Sequence, residues 1–177
     1  MTDAPFLTTP RFDLWKPSAG DLAGLVELIA APEMRRFLGP AQADSGSQFE
    51  RLMRAAGGWA LYGYGVLYVR ERGKADLIGS CGVFHSWRGF GKGLDDVPEA
   101  GWIVRQDWWG KGVAGEVMQA VLAWFDAAHG PRRIACMIEE GNTASERLAA
   151  RLGFVAYDSH PAEDGERVLL NLFERVP

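Results

Sequence analysis

Apolar and polar positions along this chain repeat with two different periods. Phe12 and Leu14 alternate with Arg11, Asp13 and Trp15, which predicts a first strand. Ser18 then reads as the cap of a helix with Leu22, Leu25, Val26 and Ile29 on one face and Leu28 at its flank, closed by Pro32. Ser47-Gln48-Phe49-Glu50 has the form of a capping box and predicts a second helix reaching about Ala56. Residues 61–70 and 77–84 read as two antiparallel strands joined by a turn at Gly73-Lys74. The polar, glycine-rich stretch 86–98 reads as a mobile loop, and 99–104 as the next strand.

A long helix is predicted from Gly110 to about Ala128. Val113, Val117, Ala120, Val121 and Trp124 form one apolar face, and Met118, Leu122 and Phe125 a second. A helix apolar on two sides is buried on two sides. Gly130-Pro131 ends it. A strand at 133–138, a short helix at 143–152 ended by Gly153, and strands at 154–157 and 168–173 complete the pattern. No repeat, linker or boundary interrupts the chain. The expectation is one α/β (α+β) domain over residues 1–177, with a mixed, mostly antiparallel sheet and a single convincing βαβ unit.

Composition narrows the function classes. The apolar share is 47% and the charged share 24%, as in soluble globular proteins. A net charge of −4 argues against nonspecific nucleic-acid binding, which needs a basic field. No apolar run is long enough to span a membrane, and Met1 to Pro5 lack the form of a secretory leader. Cys81 and Cys136 lie in apolar runs and read as buried free thiols of a reducing cytoplasm. No Cys and His set has metal-ligand spacing, so no metal is expected. Most of the 22 glycines read as turns or crowded packing, with a bulge or a close ligand approach as the alternative for those in strands.

Trp109-Gly110-Lys111-Gly112-Val113-Ala114-Gly115-Glu116 stands where an extended segment meets the long helix. A helix start leaves four N–H groups unpaired and carries about half a positive charge. Glycine lets a phosphate approach without meeting a Cβ. These residues therefore read as a phosphate cradle. Gly110-x-Gly112-x-x-Gly115 also matches the dinucleotide fingerprint, but that fingerprint opens a series of βαβ units, and here an antiparallel pattern comes first. A nicotinamide-binding enzyme stays as a lesser alternative.

The ordered set of motifs resembles the GNAT superfamily of N-acetyltransferases, in particular the Rim-type branch that acetylates ribosomal-protein amino termini. The set comprises Thr9-x-Arg11-x-x-Leu14, Ile78-Gly79, Glu99-Ala100-Gly101-Trp102, the 109–116 loop, Asn142-x-x-Ser145 and Leu152-Gly153-Phe154. The resemblance implies a sheet whose fourth and fifth strands splay apart, and acetyl-CoA as co-substrate. It implies pyrophosphate held at Trp109, Gly110, Lys111, Gly112, Val113, Ala114 and Gly115, and pantetheine paired along Trp102, Ile103 and Val104. Asn142 is implied as a further cofactor ligand, with helix capping as its other reading. The implied acceptor is a primary amine, either a protein N-terminus or a small amine, and a homodimer is allowed for.

Transfer of acetyl from a thioester needs a neutral amine, a stabilised carbonyl oxygen and a protonated or solvated leaving thiolate. Neutralising a lysine at pH 7 costs about 4–5 kcal/mol, and an α-amine only about 1. Glu99 is the candidate base, or else a solvated strand-end carboxylate. A backbone N–H near Val104 would meet the oxyanion. Many relatives place a tyrosine seven residues after the asparagine, but Ala149 stands there, so Ser145 is the candidate partner of the sulfur, with Tyr157 in reserve. The loss of that tyrosine raises a non-catalytic acyl-CoA-binding module as the second function class. His85, Trp87 and Trp108 read as pocket or packing residues, and Cys136 as no nucleophile.

Overall fold

The computed structural model describes residues 4–38, 43–161 and 168–177, so part of the chain start discussed above lies outside it. Its strands form one 8-stranded sheet in the order β1-β2-β3-β4-β5-β6-β8-β7. These are β1 (Leu7–Thr8), β2 (Phe12–Trp15), β3 (Val66–Glu71), β4 (Leu77–Trp87), β5 (Asp95–Val104), β6 (Ile134–Glu139), β7 (Val155–Pro161) and β8 (Leu169–Arg175). Neighbours pair antiparallel except β5 and β6, which are parallel. A parallel pair needs a crossover, and α4 (Val113–His129) supplies it. One parallel pair in an antiparallel sheet is not a doubly wound fold, and the dinucleotide alternative is set aside on that ground.

The two-sided pattern of α4 is met by burial. Val113, Val117, Met118, Val121, Leu122 and Phe125 are all buried against one face of the sheet, with Phe12, Leu14, Val69, Cys81, Val83 and Cys136. The other face carries α1 (Leu22–Leu28), α2 (Pro32–Arg35) and α3 (Ser45–Tyr62), packed on Tyr68 and Leu77. In the crowded strand middle, a Cβ on Gly82 would stand 2.6 Å from the Gly65 carbonyl oxygen. One on Gly101 would stand 3.0 Å from the Phe84 ring. Packing therefore accounts for these strand glycines.

Several boundaries differ from the sequence expectation, three of them with a clear physical reason. First, α3 is capped by Asp44, which accepts from the Ser47 N–H at 2.9 Å, so Ser47 lies inside the helix rather than before it. The helix continues through Gly57-Gly58 to Tyr62 and ends where Gly63 takes φ 73°. Residues 61–65 are therefore not strand. Buried Gln48 and Leu52 on its inner face outweigh the low helix propensity of two glycines.

Second, the stretch 86–98 is mostly hairpin: β4 runs to Trp87 and β5 starts at Asp95. The turn between them is tied down. Asp95 accepts from the N–H groups of Gly89 (2.6 Å) and Gly91 (2.7 Å), Arg133 Nη1 donates to the Gly93 carbonyl at 2.7 Å, and Leu94 is fully buried. Third, a two-residue strand, β1, precedes the expected first one and pairs with it.

Candidate active site

Strand β5 keeps its partner β4 along its whole length, and β6 keeps β8 along its own. Between β5 and β6 only Glu99↔Ala135 and Ala100↔Cys136 pair. Beyond them the two strands part, which opens a wedge at their C-terminal ends, the expected splay. The Arg105 N–H donates to the Ile78 carbonyl on β4 at 2.8 Å. Backbone groups along a strand point alternately to either side. Ile103 and Gly101 therefore also face β4, and Trp102 and Val104 turn their N–H and C=O groups into the wedge. The Trp109 indole donates to the Val104 carbonyl at 2.7 Å. What β5 offers there is the Val104 N–H and both backbone groups of Trp102.

The wedge leads to the start of α4. Gly110 and Gly112 have φ 72° and 73°, in the left-handed region where a Cβ is strained, and Gly112 is the N-cap. The first helical bond runs from the Glu116 N–H to the Gly112 carbonyl at 3.1 Å. Among the described residues, no hydrogen bond takes the backbone N–H of Gly110, Lys111, Gly112, Val113, Ala114 or Gly115. A Cβ added to Gly110 would meet nothing within 4 Å. Unpartnered amides on an uncluttered concave turn are what a diphosphate requires. Gly115 also has a packing role, with the Leu148 side chain 3.7 Å from where its Cβ would lie.

Helix α5 (Thr143–Arg151) closes the other side of the wedge. Asn142 caps it, its Oδ1 accepting from the Ser145 N–H at 3.2 Å. This is the capping geometry, and it leaves the Asn142 amide hydrogens to offer a ligand. The Trp102 indole donates to Ser145 Oγ at 3.2 Å, which spans the wedge from strand to helix. With that oxygen accepting from the indole, the Ser145 hydroxyl proton is oriented elsewhere. Tyr157, by contrast, donates to the Lys92 carbonyl at 2.7 Å.

Glu99 is buried, with a side chain only 3% exposed, and holds Arg88 in a two-point ion pair: Nε to Oε2 at 2.9 Å and Nη2 to Oε1 at 2.5 Å. Burial works against the Arg88 charge, but the Glu99 carboxylate outweighs it and holds the guanidinium pKa above its ordinary value. Alternation along β5 puts Glu99 on the face of Ile103, and Trp102 on the face of Ala100 and α4. The wedge therefore lies between the candidate base and Ser145, and no contact joins them. Arg88 is the residue that sequence reasoning missed. Only a hairpin extended past Ser86 could have signalled it, because the pair spans that turn.

Of the remaining candidates, Trp87 is largely exposed, while His85, Trp108 and the two thiols are held in packing contacts. His85 is held at both nitrogens, by the Tyr64 hydroxyl at 2.8 Å and Asp96 at 2.9 Å, and it stacks on Tyr62. Trp108 packs edge-on to Phe12. Burial, with a lesser contribution from Glu99, raises the Cys136 thiol pKa, and burial pushes Cys81 up to about 12, so neither ionises near neutrality. No described helix is long and apolar enough to cross a membrane.

A freed strand edge thus stands beside a bare glycine turn. Residues 11–155 match the acetyltransferase (GNAT) domain, and the chain belongs to that family. It is 33% identical to a GnaT-family acetyltransferase from Bordetella pertussis, with a TM-score of 0.85 over 96% of this chain and 98% of that one. It is 25% identical to the N-acetyltransferase YoaA of Bacillus subtilis (strain 168), over 85% of this chain and 82% of that one. The ribosomal-protein-S5-alanine acetyltransferase of Vibrio fischeri shares the fold, with a TM-score of 0.77 at 14% identity, covering 96% and 95% of the two chains. The activity of the family is acetyl-CoA-dependent N-acyl transfer, which sets aside the non-catalytic alternative for this chain.

Proposed function

We propose that this enzyme transfers acetyl from acetyl-CoA directly to the α-amine of a peptide or protein, with both substrates bound at once. The observation that carries this reading is the free edge of β5 at Trp102 and Val104, ending beside the unpartnered amides of the 110–115 turn. Those amides hold the pyrophosphate, and Trp109 fixes the junction by closing the Val104 carbonyl. Trp102 and Val104 align the pantetheine, while the Ile103 backbone stays committed to β4, and the Asn142 amide hydrogens meet the pantetheine carbonyls. The Val104 N–H receives the charge that develops on the thioester oxygen.

The amine nitrogen attacks the thioester carbon, the C–S bond breaks, and the Ser145 hydroxyl hydrogen-bonds the departing sulfur. Glu99 takes the proton lost by the amine through a water, since both its oxygens already accept from Arg88. That indirect route gives the amine little help in losing its proton. It suits an α-amine, which needs only about 1 kcal/mol to be neutral at pH 7, better than a lysine needing about 4–5.

The test is a screen of N-terminal peptides and small amines, read by free thiol release. Peptides are expected to be acetylated at the α-amine, with a rate that rises with pH and levels off near the amine pKa of about 7.7–8.0. A preference for polyamines, or a rate still climbing past pH 9, would overturn the acceptor assignment. Ser145→Ala is expected to lower kcat about tenfold to a hundredfold, the size of a hydrogen bond to a charged group, with the acetyl-CoA KM unchanged.

A further inference from the structure

The Thr9-x-Arg11 motif has so far no part in the chemistry. Thr9 and Phe12 close the β1–β2 turn through bonds from the Thr9 N–H to the Phe12 carbonyl at 2.8 Å and from the Phe12 N–H to Thr9 Oγ1 at 3.0 Å. That turn carries Arg11 across to the start of α4. The Arg11 N–H and Nε donate to the two carboxylate oxygens of Glu116, at 3.0 and 2.7 Å. Nη1 donates to the Lys111 carbonyl at 3.0 Å. Among the described residues Nη2 has no acceptor, and it stands 3.7 Å from where a Cβ on Gly112 would lie. The guanidinium also lies over the buried Phe12 ring at 4.8 Å, and its side chain is 46% exposed.

We infer that Arg11 is a phosphate-binding residue of the acetyl-CoA site, with Nη2 donating to the pyrophosphate above Gly112. This rests on the reading that the 110–115 turn holds that pyrophosphate. The electrostatics require such a group. Glu116 sits in the first turn of α4, where its charge suits the helix but opposes a second anion at the same place. Arg11 stands between the two. Three of its four donor nitrogens, the backbone one included, are spent on the chain, so Nη2 is held in place before any ligand arrives, and little freedom is lost on binding. The Lys111 ammonium is placed differently, 4.9 Å over the Trp108 ring. The N-terminal hairpin is thereby a wall of the cofactor site.

The test measures dissociation constants of CoA, 3′-dephospho-CoA and S-acetylpantetheine for the full chain and three variants. Arg11→Gln is expected to weaken CoA and 3′-dephospho-CoA by the same factor, about tenfold to a hundredfold, the size of a charged hydrogen bond, and to leave S-acetylpantetheine unchanged. Arg11→Lys keeps the charge without the fixed fork and is expected to show a smaller loss in the same two ligands; it carries the test if Arg11→Gln does not fold. Glu116→Gln keeps an acceptor for Arg11 and removes the opposing charge, so CoA affinity is expected to rise. Equal losses in all three ligands, an Arg11→Gln loss confined to CoA, an unchanged CoA affinity, or a fall in Glu116→Gln matching that of Arg11→Gln would each overturn the assignment. Those results leave the acetyl-CoA reading standing. Only a wild-type chain that binds no CoA removes both.

Discussion

Two glycine-rich turns flank β5, and their backbones meet opposite fates. The turn before the strand, with Gly89, Gly91 and Gly93, has several of its donors and acceptors answered by the chain itself: Asp95 takes two of its N–H groups and Arg133 one carbonyl. The turn after the strand, with Gly110 and Gly112, also has positive φ at both glycines, yet among the described residues its amides have no acceptor. Glycine content is the same signal in both. What separates a folding device from a ligand site is whether buried or converging backbone groups are already paired.

Substitution can break this contrast. Gly112→Val is expected to have the largest effect. A branched residue at φ 73° is strained by about 1–3 kcal/mol and puts methyl groups into the cradle. The chain is expected to fold with a lower Tm, while its CoA affinity falls about a hundredfold, the loss of several charged hydrogen bonds. Calorimetric titration and a melt on one sample check both, and unchanged affinity would mean the turn holds no phosphate. The converse is Asp95→Ala, which frees the other turn. Its melting temperature is expected to fall while the CoA dissociation constant stays within about twofold of wild type, the scatter of remote surface changes. A large loss of affinity there would erase the distinction between the turns.

A smaller effect lies in acid. Glu116 has its pKa lowered below 4.5: burial works against this, but hydrogen bonds from Thr9 and Arg11 and the Arg11 charge outweigh it. A carboxylate with a depressed folded pKa stabilises the chain above its unfolded value and loses that contribution as pH falls through the folded value. The melting-temperature difference between wild type and Glu116→Gln is therefore expected to be constant above about pH 5 and to shrink below 4.5. A difference that does not change with acid would mean the Thr9 and Arg11 contacts do not hold the carboxylate.

The same contrast shows what the sequence could and could not tell. Helix α4 was readable because both its faces are apolar, and the 109–116 turn because glycines at a helix start have a direct physical meaning. The turn at 88–94 resembled it in composition. Its closure depends on Asp95 and Arg133, contacts that no local pattern announces. Likewise α3 passes through Gly57-Gly58 because burial of Leu52 and Gln48 holds it, a tertiary effect set against local propensity. Glu99 was visible as a strand-end carboxylate, but its ion pair was not, because Arg88 faces it only once the hairpin is drawn at full length. Arg11 belongs to a sequence motif, and only the fold brings it within reach of residues 111 and 116.

The most direct measurement is a backbone amide NMR titration of the isotope-labelled chain with CoA, and with NAD in parallel. The account predicts that the amides of Gly110, Gly112, Val113, Ala114 and Gly115 move with CoA and stay still with NAD, while those of Gly89 and Gly91 stay still with both. Amides of the 110–115 turn that do not respond to saturating CoA, or that respond equally to NAD, would contradict it.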